Sequence, residues 1–127
     1  VNWAVISIGS NINPQENIAK AISLLSLDQT LLAKSGFVET APVGYANQPD
    51  FINGSILIKT PLEFEHLNAY LKNVEIKLGR AKSANRFGPR EIDLDIVIWN
   101  NKVVNSDFYE REFVKNSVLE LLPDLEF

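Results

Sequence analysis

The sequence predicts an α+β fold: one antiparallel sheet carrying helices on one face. Three observations predict it. Short β-rich runs bounded by Gly, Asn or Pro alternate with two longer runs of helical period. Those elements read β-α-β-β-α-β, the order of a ferredoxin-like sandwich, with a C-terminal hairpin and a short helix added. Apolar residues make up 46% and charged residues 22%, enough to cover a sheet and too apolar for disorder. A chain of 127 residues reads as one domain, 1–127, that can bury a core without disulfides or a structural metal.

Each element has a local reason. Residues 2–8 are β-rich and end at Gly9-Ser10-Asn11, which predicts a buried strand. Residues 14–27 predict a helix, with Asn13 at the cap, Pro14 at the first position and Ile18, Ala21, Ile22 and Leu25 on one face. Residues 31–40 predict a second strand, irregular near Gly36. Two prolines and a glycine make 41–51 a loop, and 52–60 follows as a strand. Thr60-Pro61-Leu62-Glu63 has the form of a capping box opening a helix to Leu78, with a stripe of Phe64, Leu67, Leu71, Val74 and Leu78. Residues 79–89 form a basic loop, and 91–99 a strand. Asn100-Asn101 predicts a hairpin turn into 102–104, and 110–121 a final helix ended before Pro123.

Composition removes whole classes of function. There is no Cys, so thiolate zinc sites and Cys nucleophiles are excluded. The one His, His66, sits among acids at a helical position and reads as a surface residue, so no His cluster or Ser-His-Asp set is available. A net charge of −4 and a pI near 5.0 argue against a partner held by bulk charge, such as nucleic acid. No apolar run approaches the roughly 18 residues of a membrane span, and the N-terminal sequence lacks the basic start of a signal peptide. A cytoplasmic protein with no membrane partner is the expectation.

Three constellations carry chemistry. In Asp93-Leu94-Asp95, strand alternation puts both carboxylates on one face, with Val97 and Trp99, and Ile92, Leu94, Ile96 and Ile98 on the other. Paired carboxylates repel unless a cation compensates, and Mg²⁺ suits such oxygen ligands when phosphate completes its shell. The plainer reading is a solvated polar face, which Val97 and Trp99 weaken. The second constellation is the basic run Lys77, Arg80, Lys82, Arg86 and Arg90. Charge runs are usually solvated loops, but Arg90 lies three residues before Asp93, so phosphate-holding bases adjoin metal-holding acids. In the third, Tyr45, Phe51 and Asn53 offer aromatic faces and an amide to a flat heterocycle, against the plainer reading of a turn and a core Phe.

Together these residues resemble the 6-hydroxymethyl-7,8-dihydropterin pyrophosphokinase family. The segments that match are IGSN (8–11), ETAPVGYANQPDFIN (39–53), GR (79–80) and RFGPREIDLDI (86–96). The resemblance implies a ferredoxin-like core and transfer of a pyrophosphoryl group from ATP, as co-substrate, to the pterin hydroxymethyl oxygen, releasing AMP. It implies two Mg²⁺ ions held by Asp93 and Asp95, with Arg80 and Arg90 completing the catalytic group. It assigns substrate contacts to Asn11, Thr40, Pro42, Val43, Phe51, Asn53, Phe87 and Phe113. Nucleotide contacts fall on Lys72, Glu75, Lys82, Arg90, Ile96 and Arg111. It implies small-molecule partners and a monomer.

The chain departs from the family in three places. Phe87 stands where a tryptophan is usual, Lys82 where an arginine is common, and the segment with a Pro-His pair before the final helix is missing. The alternative is therefore a catalytically weak or inactive relative that binds pterin or serves as a partner or regulator. An unrelated ferredoxin-like binding module, for RNA for instance, is a third reading. The acidic pI and the lack of an RNP-type aromatic strand stand against it.

Overall fold

The computed structural model describes residues 1–44, 46–79 and 89–127. Its elements are β1 (Asn2–Ser10), α1 (Pro14–Asp28), β2 (Thr30–Lys34), β3 (Val38–Thr40), β4 (Phe51–Thr60), α2 (Phe64–Lys77), β5 (Asp93–Trp99), β6 (Lys102–Val103), α3 (Asp107–Glu110) and α4 (Glu112–Leu121). The strands form one antiparallel sheet in the order β2-β4-β1-β5-β6, with β3 also paired to β4. This is the expected ferredoxin-like arrangement.

Alternation along the strands builds two cores. Ala4, Ile6 and Ile8 of β1, Ile56 and Ile58 of β4 and Leu94 and Ile96 of β5 face α1 and α2, meeting Ile18, Ala21, Leu25, Leu67, Leu71 and Val74. Each such aliphatic side chain contributes about 1.5–3 kcal/mol when fully buried. The predicted helical stripes face this core, with Ile22 and Leu78 partly buried, but Phe64, at the start of α2, is 38% exposed. The opposite face is covered too. Val5, Val97 and Ile98 pack with Phe108, Val114 and Val118, so α4 makes a third layer where the sequence placed helices on one face only.

A bulge in β5 corrects the predicted alternation. Ile96 pairs with Ile6 but Ile98 pairs with Val5, leaving Val97 as an extra residue. Val97 keeps its predicted side, and Ile98 joins it there under α4. Trp99 is returned to the other face, where its ring meets Phe64 edge-on at 5.5 Å.

Three local expectations change as well. The capping box does not form: Thr60 ends β4, its hydroxyl accepts the Leu62 N–H at 3.1 Å, and α2 begins at Phe64. Asn13 does precede α1, but in the left-handed region (φ 42°) and with no side-chain cap, a conformation Asn tolerates. A short helix that the sequence does not predict, α3, precedes the final one, and extended Arg111 (φ −123°, ψ 109°) separates it from α4, which matches the predicted 110–121 to within two residues. The hairpin is as predicted, with Asn100 and Asn101 both at positive φ.

The irregularity near Gly36 separates β2 from β3. Ser35 spans the gap, its N–H donating to Ser55 O and its hydroxyl accepting the Ser55 N–H, both at 2.9 Å. Phe37 then lies over Gly54, where a Cβ would come within 2.6 Å of the ring.

Candidate active site

The faces of β1, β4 and β5 turned toward α4 diverge from it at one end, leaving a cavity of about 260 Å³. Strand register fixes its floor as two cross-strand rows. One is Asp95, Ser7 and Ser55; the next is Asp93, Gly9 and Asn53. Thr40, Val43 and Phe51 form one wall, and Arg111, Phe113 and Ser117 the other, with Arg90 at the edge. The structure thus gathers Arg90, Asp93, Asp95, Thr40, Val43, Phe51, Asn53, Phe113 and Arg111, drawn from four separate stretches of chain, around one space.

Asp95 is held under tension. Asp95 has its pKa raised above 3.8, first by burial and then by the charge of Asp93, while Lys72 acts the other way. A bound cation would relieve both causes, so the donor set fits a metal. Among the described residues no group of three or more His, Cys, Asp or Glu gathers as a metal site. Two carboxylates leave most of an octahedral shell to water and phosphate oxygens, which suits Mg²⁺ arriving with a nucleotide.

The strand that carries them is pinned from behind. β6 does not reach Leu94, and α2 satisfies its peptide instead. The Leu94 N–H donates to Glu75 Oε2 at 2.7 Å, and Lys72 Nζ donates to Leu94 O at 3.0 Å. Lys72 also lies 3.3 Å from Glu75 Oε2 and 3.4 Å from Asp95 Oδ1. Lys72 and Glu75 therefore do not line the cavity, and Ile96 is buried toward α1 and α2.

Asn11 also stands outside the cavity lining, with its side chain engaged by the chain itself. Its Oδ1 accepts the Arg90 N–H at 2.8 Å, and its Nδ2 donates to Gln48 Oε1 at 2.9 Å and Pro49 O at 3.0 Å. It ties the end of β1 to the loop before β4 and to the segment leading into β5. Pro42 is absent from the lining, although Ala41 and Val43 on either side of it are present. Arg80, Lys82, Phe87 and Tyr45 lie outside the described residues.

On the heterocycle side, Asn53 Nδ2 donates to Thr40 Oγ1. Phe113 faces it from the first turn of α4. One turn further along, the Ser55–Ser117 hydroxyl contact at 2.7 Å links α4 to β4 in an otherwise apolar seam. Arg111 is held at 3.3 Å by Asp107. Sequence reasoning missed Ser7, Gly9, Asp107 and Ser117. Ser7 and Gly9 were legible as odd positions of β1, on the face opposite Ile6 and Ile8. Asp107 and Ser117 depend on where α3 and α4 pack, which no local pattern states.

Adjacent carboxylates beside arginines, facing an amide and an aromatic ring across one cavity, suit phosphoryl transfer to a flat substrate. The comparisons agree. The model of the 7,8-dihydro-6-hydroxymethylpterin-pyrophosphokinase (HPPK) family matches residues 5–123, and the chain belongs to that family. A Bacillus subtilis 2-amino-4-hydroxy-6-hydroxymethyldihydropteridine pyrophosphokinase is 35% identical, over 98% of this chain and 81% of its own length. The Haemophilus influenzae protein of the same name is 35% identical over 96% and 82%. The Schizosaccharomyces pombe folic acid synthesis protein fol1 is 38% identical over 96% of this chain and 18% of itself. The bacterial alignments run to 136 and 134 positions, more than the 127 residues here, so both relatives have positions this chain lacks.

Proposed function

We propose that this chain, as a member of that family, transfers pyrophosphate from ATP to the hydroxymethyl group of 6-hydroxymethyl-7,8-dihydropterin and releases AMP, a step of folate synthesis. The observation that carries the reading is the shared cavity of Asp93, Asp95, Arg90 and Arg111 with Asn53, Thr40 and Phe113. The hydroxymethyl oxygen bonds to the β phosphorus. The bond from that phosphorus to the α–β bridging oxygen breaks, AMP leaves with that oxygen, and the hydroxyl proton passes to solvent. Arg90 and Arg111 hold the phosphate oxygens by charged hydrogen bonds. Asp93 and Asp95 would hold Mg²⁺, two ions by resemblance, whose charge neutralises the phosphate oxygens. Asn53 presents its amide to the ring edge and Phe113 packs on the ring face.

ATP as co-substrate and the small-molecule partners follow from the family. A monomer of one domain, working in the cytoplasm without nucleic-acid or membrane partners, belongs to the same proposal. No helix among the described residues is long and apolar enough to cross a membrane. The relatives named above give no support to the non-catalytic alternative, and family membership removes the unrelated binding module. The test is AMP release from ATP and Mg²⁺ with and without the hydroxymethyl pterin. Pterin-dependent AMP is expected; pterin binding with no AMP at saturating ATP would overturn the reading.

A further inference from the structure

Ser7 lies in the cavity floor, and among the described residues its hydroxyl has no hydrogen-bond partner. In β1 it stands directly across from Asp95 on one side and Ser55 on the other. Directly opposed Cβ atoms in antiparallel strands are about 4.5–5.5 Å apart, and diagonal neighbours about 7–8 Å. Asp93 and Asn53, each paired with Gly9 two residues along, are those diagonal neighbours. Ser7 lines the cavity. Ser55 turns its hydroxyl to Ser117, and among the described residues none gives the Ser7 hydroxyl a hydrogen bond. Gly9 adds no side chain to screen it.

We infer that Ser7 is a substrate-contacting residue, its hydroxyl hydrogen-bonding the hydroxymethyl group of the pterin and orienting the oxygen that is phosphorylated. The position argues for that atom. A ring held by Asn53 and Phe113 and phosphates held near Asp93 and Asp95 must be joined by the reacting group, and Ser7 lies between the two. A serine hydroxyl both donates and accepts, so it can take the substrate O–H while leaving a lone pair of the substrate oxygen aimed at phosphorus. Ser7 acts here by orientation and not as a base.

The inference rests on the proposed pterin reading, and its test separates the two. Binding of 6-hydroxymethylpterin and of 6-methylpterin, which lacks the hydroxyl, is titrated by ligand fluorescence with Mg²⁺ and a non-hydrolysable ATP analogue. The wild type and Ser7→Ala are compared. The wild type is expected to prefer the hydroxymethyl form, and Ser7→Ala to shrink that preference about three- to tenfold, the worth of one hydrogen bond. Affinity for the 6-methyl form should stay unchanged. Ser7→Ala removes a hydroxyl that no described residue hydrogen-bonds, so its thermal midpoint should not fall. An undiminished preference overturns the role of Ser7 and leaves the pterin reading standing. Failure of the wild type to bind either pterin overturns that reading, and this inference with it.

Discussion

Gly9 lies directly beneath Asn53: the two are register partners in β1 and β4, and a Cβ on Gly9 would come 2.7 Å from Asn53 Oδ1. The Asn53 amide, proposed to meet the ring edge of the substrate, therefore occupies space that glycine leaves open. Gly9→Ala should push Asn53 aside and break its bond to Thr40. The clash is with the end of a side chain, so the fold should lose little stability while the amide moves. Pterin affinity, read by titration, should fall at least about tenfold, since a misplaced amide loses its paired hydrogen bonds. Equal affinity in Gly9→Ala would mean that Asn53 does not hold the pterin.

Much of this was legible in the sequence, for definite reasons. Asp93 and Asp95 share a face because strands alternate, and nothing between them interrupts the alternation. Two residues on, the β5 bulge at Val97 breaks that rule, and Ile98 and Trp99 change sides. A bulge leaves no composition signal. Thr60-Pro61-Leu62-Glu63 had the letters of a cap, yet pairing of Thr60 with Asn2 extended the strand and delayed the helix. The predicted substrate contact at Asn11 is of a third kind. Its Oδ1 and Nδ2 are committed to two chain segments far from it in sequence, Gln48-Pro49 and Arg90. Such a role is visible only once the loops have been placed.

Asp95→Asn should lose turnover and gain stability. Burial and Asp93 raise the Asp95 pKa, so ionising Asp95 costs the folded, metal-free protein more than the unfolded chain. That cost is present at neutral pH and disappears as pH falls through the raised pKa, where the group is protonated. Asn carries no charge and avoids the cost. The variant's thermal midpoint without metal should exceed that of the wild type at pH 7, and the two should converge in acid. Pterin-dependent AMP release should become undetectable. A lower midpoint at pH 7, or retained turnover, would contradict the argument.

Glu75 should behave as the clamp of β5, the strand that carries Asp93 and Asp95. It is 3% exposed and accepts the Leu94 N–H at 2.7 Å. Glu75→Ala strands that buried N–H, at about 1–3 kcal/mol. Glu75→Gln keeps an acceptor oxygen in place and should recover part of the loss. Hydrogen exchange at the Leu94 amide checks this directly. Its protection should drop in Glu75→Ala and return largely in Glu75→Gln, whereas unchanged protection in Glu75→Ala would remove Glu75 from that role.

Tyr70 should make the fold sensitive to alkali. Its hydroxyl donates to Leu24 O at 3.1 Å and Asp28 Oδ2 at 2.8 Å, tying α2 to the end of α1. Burial, and then the bond to and charge of Asp28, push the Tyr70 pKa up to about 12 from 10.0. The neutral phenol is thus favoured in the folded state. Its contribution is fully present below pH 10 and is lost as pH rises from 10 to about 12. Tyr70→Phe removes the donor and should cost about 0.5–1.5 kcal/mol at neutral pH. Denaturant midpoints across pH 7–12 provide the test. The wild type should lose its advantage over Tyr70→Phe as the phenol ionises, so the two curves should approach one another above pH 10. A constant gap through pH 12 would show that the hydroxyl makes no pH-linked contribution to the packing of α1 on α2.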